Sequence, residues 1–231
     1  MHVIIVTDIF GVTAAVSALA QALRSEHRVK SEYIVKSEYS VNSANSVKSL
    51  PSGHAVHSSE HAVHSLPLQV TVVDPYAGQD PLLPDEASAY DYFLAHCGHD
   101  AYQKKLQQIM SDSKAPMFLV GFSAGATACW RSIACRWPNM VAHCIVFYPG
   151  QIRHYLDLSP QYPCTIIWPA YEHHFSVADV SAQLAQQPHV HCIYTEFLHG
   201  FMNPSSEFFS ELAAAQFHGF IQQTLMQSIN K

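Results

Sequence analysis

The chain reads as an α/β protein built on a mostly parallel β-sheet flanked by helices on both faces. Three observations predict this. Short, continuously apolar runs alternate with helical patterns along the chain, the runs are too apolar for a sheet that meets water on one side, and a Gly-x-Ser-x-Gly turn joins one run directly to an Ala-rich helix. With 231 residues, 48% hydrophobic and only 13% charged, the chain can bury one large core, and a single domain over 1–231 is expected.

Taken in order, Val3 to Val6 is a buried-strand run ending in Thr7-Asp8-Ile9-Phe10-Gly11, and an Ala/Leu-rich helix follows from about Thr13 to Arg24. Between about His27 and Pro67 runs a Ser-rich segment with short tandem copies: Val29 to Tyr33 repeats at Val35 to Tyr39, and His54 to Ser58 repeats at His61 to Ser65. Connections in α/β units usually take about 2–6 residues, so this segment is expected to be a surface insertion, either irregular or a hairpin. The pattern resumes with a strand at Leu68 to Val73, closed by Asp74-Pro75-Tyr76, and with helices near Asp85 to Ala95 and Asp100 to Ser111. Met117 to Val120 then feeds the Gly-x-Ser-x-Gly turn, whose helix is expected to run to about Arg136. Strands at Val141 to Phe147, Cys164 to Trp168 and His191 to Phe197 follow, with helices at Val177 to Gln187 and Ser206 to Gln227.

Bulk chemistry narrows the partners. The formal charge of −6 comes with no basic cluster, which argues against nucleic acid or an anionic membrane surface and favours a small-molecule substrate. Met1-His2 leads straight into Val3, leaving no room for a charged-then-apolar leader, so a cytoplasmic location is expected. The six cysteines form no C-x-x-C pair and sit in apolar patterns, as buried reduced thiols do.

The chemistry gathers at strand ends. Gly121-Phe122-Ser123-Ala124-Gly125 between strand and helix reads as a nucleophile elbow, in which a strained turn lifts Ser123 clear of the sheet and Ala124 offers a backbone N–H to an oxyanion. A helix N-cap is the plain alternative for this serine. Serine needs an imidazole to take its proton and a carboxylate to hold that imidazole. The later strand ends supply Pro169-Ala170-Tyr171-Glu172-His173-His174-Phe175 and Leu198-His199-Gly200-Phe201, so the order Ser123, Glu172, His199 is that of hydrolase triads. His173, His174 and Asp179 lie near enough in sequence to share or take the acid's place.

Three segments together resemble the dienelactone hydrolase family, a branch of the α/β-hydrolases: Asp8-Ile9-Phe10-Gly11, Asp74-Pro75-Tyr76 and His199-Gly200-Phe201. The resemblance covers nearly the whole chain apart from the insertion. It implies an α/β-hydrolase fold in a minimal form without the usual first hairpin, and a carboxylesterase-like enzyme that cleaves a small ester or lactone through an acyl-enzyme without a cofactor. It also implies that Ile9 joins Ala124 in the oxyanion hole and that Asp8 lies close to the nucleophile; burial there would raise its pKa and let it hold the serine out of line until substrate binds, the plain alternative being that Asp8 ends the strand or caps the helix that follows. Serine stands where that family carries cysteine, Asp8 stands for its glutamate, and its carboxylate-binding arginines have no counterpart in 74–78 or 201–204, so dienelactone does not carry over as the substrate.

Phe10, Tyr76, Phe122, Trp168 and Phe201, with Tyr171, are the candidates to line the substrate pocket. Glu172-His173-His174 and the two His-x-x-His copies offer imidazoles without the spacing of a metal site, so no metal is expected. The alternative left open is an inactive hydrolase scaffold whose repeated insertion engages a partner or a metal.

Overall fold

The computed structural model describes residues 1–25 and 68–230. The expected insertion at 27–67, with its repeats and its hairpin alternative, lies outside the described residues. Six strands form one sheet: β1 (His2–Val6), β2 (Gln69–Val73), β3 (Met117–Phe122), β4 (Val141–Phe147), β5 (Cys164–Trp168) and β6 (Val190–Tyr194), in the order β2-β1-β3-β4-β5-β6. Every pairing is parallel. The helices are α1 (14–25), α2 (Glu86–His96), α3 (Gly98–Asp112), α4 (Ala124–Ile133), α5 (Val177–Leu184) and α6 (Glu211–Ile229).

The apolar runs explain the layering. Alternate residues of one strand point to opposite faces, so Ile4 and Val6 pack with α2, α3, α4 and α5, whereas Val3 and Ile5 pack with α1 and α6. With helices on both sides, every residue of β1 and β3 is buried, which is why these runs are solidly apolar rather than alternating. Tyr102 of α3 fixes the register of the layer: its hydroxyl lies 2.9 Å from Thr7 O and 3.0 Å from Val73 O, just past the ends of β1 and β2.

Several boundaries differ from the sequence reading, each for a local reason. α6 starts at Glu211 rather than near Ser206, because Ser210 caps it by accepting the Ala213 N–H and the preceding turns are held by Asn203 Oδ1 and Ser206 Oγ. β6 stops at Tyr194 because Thr195 turns its hydroxyl onto Trp168 O at 2.8 Å. α4 ends at Ile133 and α5 at Leu184, each about three residues early, and a 3-10 turn at Gly150–His154 was not read from the pattern. The six cysteines are free thiols. No described helix is long and apolar enough to cross a membrane.

Close packing sits where α4 leaves the sheet. A Cβ on Gly125 would fall 2.5 Å from Val6 O and closer still to Thr7 O, and one on Gly121 would lie 2.8 Å from Ala126 Cα. G125A is therefore expected to cost about 3 kcal/mol, since backbone cannot yield as a flexible side chain does. G219A, in α6 with open space around it, is expected to gain about 0.5–1 kcal/mol from helix propensity. Thermal melts of the two variants test this, and equal melting temperatures would refute it.

Candidate functional site

Adjacent strands that leave the sheet in opposite directions open a crevice at their C-terminal ends. Here β1 is followed outward by β2, and β3 by β4, so the loops after β1 and β3 face each other at such a switch point. Ile9 stands in the first and Ser123 in the second.

Ser123 takes φ 49 and ψ −110, a left-handed conformation that costs a non-glycine residue energy and marks a functional turn. Its side chain does not cap α4. Instead Oγ lies 2.9 Å from His199 Nε2, and His199 Nδ1 lies 2.7 Å from Glu172 Oε1. A carboxylate accepts only, so the network assigns the proton of the neutral ring to Nδ1 and leaves Nε2 to accept the Ser123 hydroxyl proton. Burial works against a charged His199, but the hydrogen bond and charge of Glu172 outweigh it, and Glu86 and Asp8 add to them, so its pKa is raised above the usual 6.5.

Of the candidates for the acid, only Glu172 reaches the imidazole. Asp179 is exposed in the first turn of α5, where its N–H is bonded to Ser176 Oγ. His173 and His174 are exposed and line the cleft. Ala124 opens α4, so its N–H is among the helix donors without an intrahelical partner, and Ile9 and Ala124 both line the cleft beside Ser123.

Asp8 is fully buried and accepts from the Phe10 N–H at 3.0 Å and from Asn203 Nδ2 at 2.7 Å. Burial pushes its pKa up to about 6, against the lowering effect of those two bonds and of His199. Asp8 and Ser123 line one small cavity, yet the serine hydroxyl is on His199 and the Asp8 oxygens are on Phe10 and Asn203. The serine is thus in line with its base here, and what Asp8 ties together is the loop after β1 and the loop that carries His199.

A cleft of about 420 Å³ opens over Ser123, His199 and Glu172. Its outer walls include Glu86 and Tyr90 of α2, His99, Gln151, Arg153, Glu207 and Phe208. Most aromatics expected to line it do not. Trp168 and Phe201 are completely buried, the latter among Phe147, Tyr148, Phe197 and Phe217. Tyr76 is buried under the loop after β1, its hydroxyl donating to Ile9 O at 2.5 Å. Phe122 stacks on Phe147 behind the serine, and Tyr171 is exposed against His173. Phe10 alone of the set lies beside Ser123, in the small cavity. A strand end supplies as much packing as pocket, and the true walls come from the start of α2 and from the 3-10 turn after β4, where Arg153 was legible only as a residue past a strand end. Among the described residues no group of three or more His, Cys, Asp or Glu is placed to hold a metal ion.

Comparison with known proteins fits this geometry. The structure aligns with a protein of Klebsiella pneumoniae assigned as a dienelactone hydrolase, at TM-score 0.65 and 13% identity over 98% of this chain and 86% of that one. It also aligns with a dienelactone hydrolase-like promiscuous phosphotriesterase from metagenomic libraries, at TM-score 0.57 and 12% identity over 97% and 85% of the two chains. The fold is therefore that of the dienelactone hydrolase-like α/β-hydrolases. No family model matches the chain. In sequence it is 31% identical over 138 residues to the uncharacterized protein YczH of Bacillus subtilis, covering 58% of this chain and 67% of that one, and the chain belongs to the family of that protein.

Two outcomes follow from the electrostatics. Asp8 is protonated more readily folded than unfolded, so its ionisation costs the fold nothing below the ordinary pKa of 3.8 and most above about 6. D8N removes that cost and is expected to be more stable than the wild type by up to about 3 kcal/mol at pH 8, with no gain at pH 3, in urea melts at the two pH values. E172Q, for its part, takes the negative charge from His199, so the imidazole titration followed by proton NMR should move to lower pH; an unmoved titration would refute the coupling.

Proposed function

We propose that the protein is a serine hydrolase that cleaves a small carboxylic ester or lactone, with Ser123 as nucleophile, His199 as general base and Glu172 as the acid that orients it. The observation that carries the reading is the unbroken chain from Ser123 Oγ to His199 Nε2 at 2.9 Å and from His199 Nδ1 to Glu172 Oε1 at 2.7 Å, on a strained serine at the floor of a cleft. The dienelactone hydrolase-like fold supports the hydrolase class.

In this reading the carbonyl carbon of the substrate sits over Ser123. His199 Nε2 takes the hydroxyl proton as Oγ attacks, and the charge that develops on Nε2 and Nδ1 is balanced by Glu172. The oxyanion is held by the N–H groups of Ile9 and Ala124. Collapse expels the alcohol, which takes the proton from His199, and leaves Ser123 acylated. Water then repeats the sequence and frees the acid. The raised pKa of His199 sets the working range: the base must be neutral, so activity should rise through the titration of that imidazole, which lies above the ordinary 6.5, and level off beyond it.

The reading also takes residues 1–231 as one α/β-hydrolase domain that carries the 27–67 segment as an insertion, a small-molecule substrate as the partner, no cofactor, and the cytoplasm as the setting. A fluorophosphonate probe is expected to label Ser123, identified by peptide mass, and S123A should lose the label together with at least about 10³-fold of its turnover of p-nitrophenyl acetate. Labelling of S123A equal to that of the wild type would overturn the proposal.

A further inference from the structure

The loop after β1 is a tight turn in which Asp8 O accepts from the Gly11 N–H at 3.2 Å and from the Thr7 hydroxyl at 3.1 Å. Its two middle peptide units, one joining Asp8 to Ile9 and one joining Ile9 to Phe10, carry four hydrogen-bonding groups. Three are held: Asp8 O by those two donors, the Phe10 N–H by Asp8 Oδ1 at 3.0 Å, and Ile9 O by the Tyr76 hydroxyl at 2.5 Å. The fourth, the Ile9 N–H, has no partner among the described residues. A buried N–H left unpaired is rare in folded proteins, and Ile9 is only 5% exposed and lines the cleft beside Ser123.

Tyr76 is the one holder that comes from another strand end. It follows β2, its backbone N–H donates to Asp74 Oδ1 at 2.7 Å, and its buried ring packs edge-on against Tyr92 of α2 with the centroids 5.3 Å apart. Gly11, at φ 78, leaves room for that ring, since a Cβ there would lie 3.0 Å from Tyr76 Cδ2. Burial, with smaller effects of Cys97 and Asp8, pushes the phenol above its ordinary pKa, so it stays a neutral donor. Ile9 is thus pinned on both sides: the peptide before it through Asp8 O, and the peptide after it through Tyr76 and the Asp8 carboxyl.

We propose that Tyr76 is the positioning residue of the oxyanion hole: it holds Ile9 O from below and so fixes the Ile9 N–H where the carbonyl oxygen of the substrate gains charge. The inference rests on the acyl-enzyme reading above, in which Ile9 and Ala124 supply the two donors. Ala124 needs no such support, because its N–H opens a helix whose place is set by the approach of Gly125 to Val6 and Thr7. Ile9 stands in a loop, and a loop keeps its shape only where it is tied. A donor aids the reaction most when it is aimed before the charge develops, since turning it at that moment costs reorganisation. Tyr76 supplies that aim without touching the substrate. As Ser123 Oγ adds to the carbonyl carbon, the electron pair of the C=O bond moves onto oxygen and meets an N–H already in place, while the Tyr76 proton stays on its own oxygen.

An oxygen ester and its sulfur analogue separate this role from mere support of the fold. In p-nitrophenyl thionoacetate the carbonyl oxygen is replaced by sulfur, a weak acceptor, so the hole aids it little. Y76F is expected to turn over p-nitrophenyl acetate with kcat about tenfold lower and KM within about twofold, and to lose less than about twofold on the thionoester. The pH at which activity rises should match that of the wild type, since His199 and Glu172 keep their contacts. Equal slowing of both esters, or of neither, would overturn the proposal, and so would a displaced pH profile, which would mean that the triad itself had moved. Should Y76F not fold, Y92A, which removes the ring packed against Tyr76, replaces it: a reduced preference for the oxygen ester supports the role, and an unchanged preference refutes it. Wild-type protein that takes no fluorophosphonate at Ser123 would sink the acyl-enzyme reading itself, whereas a labelled wild type whose variant keeps its preference for oxygen sinks only the role of Tyr76.

Discussion

The approach of α4 to the end of β1 is the contact on which the site depends. Gly125 brings the first turn of the helix so near Val6 O and Thr7 O that no side chain fits between them, and Gly121 does the same on the strand side against Ala126 and Cys129. That closeness forces the turn at Ser123 into a left-handed conformation, points its hydroxyl away from the sheet and sets the start of α4 beside the loop after β1. Ile9 and Ala124 line one cleft because the two loops meet there. Tyr76 holds the loop from below through Ile9 O, and Tyr102 locks the ends of β1 and β2 from the α3 side. The strain in the turn is sustained by a sheet whose central strands are wholly buried.

Around this turn two carboxyl groups take different partners. Glu172 lies against His199 and holds one imidazole nitrogen, and its hydrogen bond and charge outweigh the burial that works against a charged ring. Asp8 is about equally buried, with an amide and one backbone N–H as its partners, and burial pushes its carboxyl toward the neutral form. The surroundings of Asp8 alone thus set its protonation, burial outweighing the two hydrogen bonds it accepts. The Tyr148 ring lies 4.9 Å from the His199 ring and lines the same two small cavities as Asp8.

Much of this was legible in the order of residues. The apolar runs gave the strands because a strand covered on both faces has no polar side to display, and the elbow was marked by glycines whose function is closeness of backbone. Ser123, Glu172 and His199 were each visible as the right residue type past a strand end. Boundaries were less legible, since capping by Ser210 and the turn at Thr195 depend on hydroxyls whose partners lie in loops. The pocket was misread in large part. Trp168 and Phe201 past their strands are as apolar as pocket residues would be, and nothing in their spacing distinguishes a ring that faces the cleft from one that packs under it.

The sequence by itself determined the class of fold and the parallel sheet and offered Ser123 and His199, with Glu172 as one candidate acid, for the proposed triad, because strand periodicity and the small residues of the turn are local properties of the chain. Only the tertiary structure decided which carboxylate meets His199, how Asp8 is held, and that Arg153, Glu86 and Tyr148 line the spaces beside the serine. Those relations join residues far apart in the chain, such as Asp8 with Asn203 and Ser123 with His199, and they exist only once packing has brought β1, β3, β4 and the loop after β6 to one edge of the sheet.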